Sequence, residues 1–279
     1  MTLIGAYNLN TLRSHPLILL NKGTLFCPIP PLILRRLTEG LYFDLVTHAD
    51  RFSQGFGAAY QDFVGQALAK ANHGGVFTVL GEERYGTRGQ PKDSVDWIVT
   101  DRTGTLFVEC KASRMRLRGR IDLTSFSAIQ VELERLADFV IQVYLTLNDA
   151  LGGAYRRWKP NGLPVYPIVC TLDDWQAFGA PIQETIDRRL APIVASGRLA
   201  ELFVREHPYT ICSIREFELA IQVMARTGIA PVMSHKTNEE HQHWAMHAFL
   251  SRRFEHEIRA HAVDLFAAEY DAIGALRRP

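Results

Sequence analysis

The sequence predicts an α/β protein with a mixed central sheet flanked by helices. Three observations lead there. Amphipathic helical stretches bracket a group of short apolar runs, two of those runs are joined by a tight turn, and the later runs are separated by segments long enough for helical crossovers. The tight turn argues against a doubly wound nucleotide fold and against a TIM barrel, where every connection between neighbouring strands is a crossover.

Taken in order, Cys27-Pro28-Ile29-Pro30-Pro31 precedes Leu32 to Leu37, whose spacing is helical and stops near Gly40. Phe52 to Asn72 carries Phe56, Ala59, Tyr60, Phe63, Val64, Ala67 and Leu68 on one helical face, and His73-Gly74-Gly75 ends it. From Val76 the period becomes strand-like: Val76 to Leu80, a polar Gly-rich loop over 81–94, Val95 to Thr100, then Thr105 to Cys110. Asp122 to Leu147 is helical again, with Ile129, Leu133, Leu136, Val140, Val143 and Leu147 in one stripe and Gly152-Gly153 as its break. Val165 to Thr171 and Pro208 to Ser213 read as further strands. Ser213-Ile214-Arg215-Glu216 has the pattern of a capping box and opens a helix to Arg226, and a polar stretch, Ser234 to His241, leads to a final helix from about Trp244 to Ala275.

Composition narrows the function classes. The chain has 279 residues, 47% of them apolar, enough for a core in one large domain or two small ones. The formal net charge of +1 favours no partner, so attraction to nucleic acid must come from local patches. No apolar run approaches the roughly twenty residues of a membrane span, and no convincing signal peptide is present, so a cytoplasmic protein is expected. Cys27, Cys110, Cys170 and Cys212 are widely spaced, which argues against a disulfide framework or a cysteine zinc site.

The chemistry lies on the hairpin. Asp101-Arg102-Thr103-Gly104 has the residues of a type I turn. If Thr100 pairs with Thr105, Asp96 faces Glu109, and Lys111 shares the face of Glu109 while Cys110 points away. Two opposed carboxylates repel unless a cation lies between them. Oxygen ligands suit Mg²⁺ or Mn²⁺.

These residues, Asp96 followed by Glu109-Cys110-Lys111, resemble the D-x(n)-(D/E)-x-K signature of the PD-(D/E)XK nuclease superfamily, and the helix, strand, hairpin, helix, strand order over about 52–175 is similar to its common core. The resemblance implies a restriction-endonuclease-like core at 51–233, between helical extensions at 1–50 and 234–279. It implies a metal-dependent enzyme that hydrolyses DNA phosphodiester bonds. Asp96 and Glu109 would be metal ligands, with the Cys110 carbonyl completing the shell, and Lys111 would position or polarise the attacking water. Relatives often carry a Glu on the preceding helix, where this chain has Gln61. Its amide could substitute, as could Asp62, Glu82 or Glu83. Asp93-Ser94-Val95 stand where the Pro of the family name would precede Asp96. Relatives also often have a Gln on the helix after the hairpin, which puts Gln142 either facing the site or on the surface.

Arg114, Arg116, Arg118 and Arg120 alternate just after Lys111, so an extended backbone would put them on one face, as phosphate contacts or as a solvated edge. Arg84, Arg88 and Lys92 add a second basic loop, with Arg88 the expected DNA contact. Six histidines, at 235, 241, 243, 247, 256 and 261, read as packing and interface residues rather than a metal site. The helical extensions could dock a second copy or a larger effector. The competing reading is a catalytically inactive nuclease fold that binds nucleic acid or protein.

Overall fold

The computed structural model describes residues 12, 15–48, 50–87, 89–112, 126–174 and 179–275. The chain divides into two compact units, 1–59 with 114–133 and 60–113 with 134–279. In the first unit, β1 (Ile18–Leu19) and β2 (Leu25–Phe26) form a small antiparallel ladder that no sequence signal announces. Helix α1 (Pro31–Arg35), a π-helical turn over Arg36–Gly40 and α2 (Leu41–His48) follow, so helix continues past Gly40 rather than stopping there. Tyr42 packs against Phe52 and Phe56, with ring centroids 6.2 and 5.1 Å away. Helix α3 (Asp50–Ala71) begins in this unit and runs into the second.

The second unit is α/β and holds a five-stranded mixed sheet flanked by helices. Its strands are β3 (Thr78–Gly81), β6 (Trp97–Thr100), β7 (Thr105–Lys111), β8 (Val165–Thr171) and β9 (Thr210–Ser213), adjacent in that order. The first three are antiparallel, and β8 and β9 add in parallel. Their connections run through helices: α4 (Phe126–Leu151) between β7 and β8, then α5 (Gly179–Ala195) and α6 (Glu201–Glu206) between β8 and β9.

The β6–β7 turn has the expected register, with Thr100 opposite Thr105 and Trp97 opposite Val108. Asp101 enforces it. Its Oδ1 accepts from the Thr103 N–H at 2.7 Å, the Thr103 hydroxyl at 2.7 Å and the Gly104 N–H at 2.9 Å. Its Oδ2 accepts from the Ile229 N–H at 2.8 Å, at the start of a distant helix, so one carboxylate ties the turn into the core.

Each sheet face has its own core. Val99, Leu106, Val108, Ile168, Cys170 and Cys212 pack with Tyr60, Val64 and Leu68 of α3 and with Phe217 and Ile221 of α7 (Ile214–Thr227). On the other face Ile98, Phe107 and Val165 pack with Leu147, Tyr155 and Trp158, and the Phe107 and Trp158 rings meet edge to face at 4.9 Å. The Ser213–Glu216 capping box is formed, with the Ser213 N–H donating to Glu216 Oε2 at 2.8 Å and the Glu216 N–H to Ser213 Oγ at 3.4 Å.

Two further expectations are corrected. The segment 81–94 is not a loop: β4 (Arg84–Thr87) and β5 (Gln90–Asp93) form an antiparallel arm branching from the sheet. The polar stretch 234–241 and the final helix also differ. Helix α8 (Ile229–Lys236) enters the polar stretch, and three helices replace the single one: α9 (Met246–Arg253), α10 (Glu255–His261) and α11 (Ala267–Ala275). Phe254 and Ala262 leave helical geometry at the two breaks. The Val263 N–H beyond the second break donates to Gln222 Oε1 at 2.9 Å, a tertiary bond in place of a helical one.

Candidate active site at the β6–β7 hairpin

Asp96 lies one residue before β6, next along from the Trp97–Val108 pair, and its Oδ2 accepts the Cys110 N–H at 2.6 Å. Glu109 and Lys111 are alternate residues of β7 and share a face: Lys111 Nζ donates to Glu109 Oε1 at 2.7 Å. Gln142 of α4 also reaches this cluster. Its amide donates to Glu109 Oε1 at 2.8 Å and its carbonyl oxygen accepts from Lys111 Nζ at 2.9 Å. The Lys111 ammonium also lies 5.1 Å from the centre of the Phe139 ring.

Helix α3 is held beside this cluster by its own backbone. The Trp97 indole N–H donates to the Gln61 carbonyl at 3.1 Å, and a Cβ on Gly65 would stand 2.3 Å from that indole, so only glycine permits the approach. The Gln61 amide meets Glu82 Oε2 at 3.5 Å. Of the alternatives to Gln61, Glu82 is the one whose charge reaches both Asp96 and Glu109. Asp62 is exposed, and Glu83 turns away to accept the backbone N–H groups of Arg156 and Arg157.

Electrostatics set the character of the cluster. Burial, and then the neighbouring Glu109 charge, push Asp96 up to about 7, against the pull of the Cys110 N–H and Lys111. Burial also raises Glu109, which is 4% exposed, against the opposing Lys111. Glu109 Oε2 is buried and accepts no hydrogen bond. An orphaned buried acceptor of this kind costs roughly 1–3 kcal/mol, which a proton or a cation would recover. The Cys110 thiol, half-buried beside Asp96, is pushed up by burial, so it is a poor nucleophile.

Among the described residues no group of three or more His, Cys, Asp or Glu side chains stands ready to hold a metal ion. A hydrated Mg²⁺ asks for less, since it keeps several waters and takes one or two carboxylates. Asp96 and Glu109, with the orphaned Oε2, fit that mode of binding and not an all-protein cage.

Arg88, Arg114, Arg116 and Arg118 lie outside the described residues. Asp93 pairs with Arg84 at 3.2 Å on the exposed arm. Of the six histidines, His241 packs its ring against Trp244 and Phe249 at 5.1 and 5.3 Å, while the exposed His247 bonds Glu216 at 3.0 Å. Sequence reasoning passed over Arg156, Arg157 and Lys159, although Arg156-Arg157-Trp158-Lys159 just after Gly152-Gly153 is a legible basic run. A cavity of about 800 Å³, lined by Tyr209, Lys236 and Trp244 among others, includes none of Asp96, Glu109 or Lys111.

Compared with family models, with curated proteins and with solved structures, the chain matches none. No helix among the described residues is long and apolar enough to cross a membrane.

Proposed function

We propose that this protein is a metal-dependent nuclease of the PD-(D/E)XK type that hydrolyses DNA phosphodiester bonds, built on a restriction-endonuclease-like core. One observation carries the reading. Asp96 and Glu109 crowd each other at the open end of the β6–β7 hairpin, Glu109 keeps a buried oxygen without a donor, and Lys111 stands on the same face. A fold gains no stability from a half-buried Asp96 and a buried Glu109 that repel each other, so function is the stronger reason for them.

Asp96 and Glu109 would hold Mg²⁺ or Mn²⁺. Such an ion lowers the pKa of bound water and neutralises charge developing on phosphate. Lys111, anchored between Glu109 and Gln142, orients the attacking water and offsets negative charge at the scissile phosphate. Glu82 adds the negative charge that Gln61 lacks, while the Gln61 amide steadies the Glu82 carboxylate. Arg88, Arg114, Arg116 and Arg118 are assigned to the DNA backbone by their place in the sequence.

The test is cleavage of linear, circular and single-stranded DNA with Mg²⁺, with Mn²⁺ and with EDTA. Glu109→Gln and Lys111→Ala should each lower metal-dependent cleavage roughly 10²-fold or more. Cleavage that survives both substitutions removes the assignment. DNA binding without cleavage by the unaltered chain would favour a non-catalytic member of the fold.

A further inference from the structure

Three carboxylates, Glu82, Asp96 and Glu109, gather at the candidate site, and a DNA strand approaching them is repelled. The net charge of +1 supplies no general attraction. Besides Lys111 and a metal ion, cations set beside the site would offset that repulsion along the flanking DNA.

They lie on the arm side of the sheet. Glu83, 7% exposed, accepts the Arg156 N–H at 3.3 Å and the Arg157 N–H at 3.0 Å, which pins two successive arginines by their backbone. Their guanidiniums reach back toward the site. Arg157 Nη1 donates to the Gly81 carbonyl at 3.3 Å, and Gly81 directly precedes Glu82. Arg156 Nη2 donates to the Arg84 carbonyl at 3.4 Å, at the root of the β4–β5 arm. Lys159 Nζ donates to the Gly153 carbonyl at 3.0 Å.

These cations differ in how far their charge is neutralised. Arg84 and Lys92 are partnered by Asp93 and Asp149, and Arg156 stands 3.9 Å from Glu83. Arg157 and Lys159 are exposed, and neither makes an ion pair among the described residues. Their bonds to backbone carbonyls fix direction without cancelling charge, and a guanidinium with one donor engaged keeps several for phosphate oxygens.

We propose that Arg156, Arg157 and Lys159, steadied by Glu83 and the root of the β4–β5 arm, form a shelf for the DNA phosphates that flank the scissile one. The shelf rests on the nuclease reading of the neighbouring carboxylates and names how substrate is held against their repulsion. It is independent of the arginines after Lys111. Contacts to the backbone carry no sequence information, so the shelf sets affinity and register rather than specificity.

The experiment is equilibrium binding of a labelled DNA duplex to the full chain at several salt concentrations in EDTA, so that nothing is cleaved, with cleavage in Mg²⁺ measured separately. Replacing Arg156, Arg157 and Lys159 together by Ala should weaken binding and flatten the salt dependence by about 2–3, at about 0.9 per phosphate contact. Cleavage by that variant should fall through KM with kcat kept. Arg157→Lys should retain the slope, and Glu109→Gln, with one repelling carboxylate fewer, should bind at least as tightly as the unaltered protein while failing to cleave. A triple variant that melts normally and binds with unchanged affinity and slope, while the unaltered chain binds and cleaves, overturns the shelf alone. An unaltered chain that neither binds nor cleaves overturns the nuclease reading, and the shelf with it.

Discussion

Gln142 and Glu109 are bonded directly and share Lys111: the Gln142 amide donates to Glu109 Oε1 at 2.8 Å, and its carbonyl accepts from Lys111 Nζ at 2.9 Å. One helix residue thus sets the rotamers of both strand residues. Gln142→Ala should weaken metal binding about 10-fold, the lower end for a residue that orients a ligand, and extra Mg²⁺ should restore most of the cleavage rate. A metal titration of cleavage decides it. A rate that stays low at saturating Mg²⁺ would mean that Gln142 acts on Lys111 instead.

Asp96→Asn should raise the stability of the metal-free protein by roughly 1–2 kcal/mol above neutral pH. Asp96 is held up to about 7 in the fold against an ordinary 3.8. The folded chain therefore binds the extra proton between these values, and stability falls as pH rises from about 4 through 7. The Asn variant lacks that fall, so melting curves in EDTA should separate above pH 7 and converge near pH 4. Added Mg²⁺ should stabilise the unaltered chain and not the variant.

Gly65→Ala should destabilise by about 1–3 kcal/mol, an overpacking penalty that exceeds the gain in helix propensity. The added methyl would meet the Trp97 ring at 2.3 Å, and that ring donates to the Gln61 carbonyl. Denaturant melts measure the loss. A stability equal to the unaltered protein would show that Trp97 moves aside freely.

Lys236 is 2% exposed and donates to the carbonyls of His241 and Gln242 at 3.1 and 2.9 Å. Burial lowers it to about 8 from 10.5. Between these values the unfolded chain holds a proton that the folded chain has released, so stability from this residue rises with pH across the window. Lys236→Met should lose about 1–3 kcal/mol near neutral pH, from the two orphaned carbonyls, and the gap should widen between pH 8 and 10.5. A gap that is constant with pH would place the titration elsewhere.

The hairpin was legible because turn chemistry and strand period agree: Asp101 and Gly104 fix Thr100 opposite Thr105, and alternation does the rest. The β4–β5 arm was not. Its residues are nearly all exposed, so no apolar alternation marks it, and Gly-rich polar sequence reads as loop. The C-terminal helices were misread for the opposite reason. No Gly or Pro interrupts 245–273, and the break at Ala262 comes with a tertiary bond from Val263 to Gln222 that no local signal reports. Gln61 was legible as a departure from the family pattern. That Glu82 rather than Glu83 supplies the missing charge depends on which way each side chain turns at the end of β3, where regular alternation stops.

The root of the arm is closed by two bonds between Glu83 and Ser94: the Glu83 N–H donates to Ser94 Oγ at 2.9 Å, and the Ser94 N–H donates to the Glu83 carbonyl at 3.0 Å. Beyond that clasp Tyr85 and Lys92 still tie the arm to Tyr155 and Asp149, while β3 and β6 pair without the tip. The tip around Gly89 can therefore lengthen, shorten or be exchanged for an unrelated sequence without moving Asp96. Substrate preference carried by the tip could diversify quickly among descendants of this chain while the chemistry beneath it stays fixed.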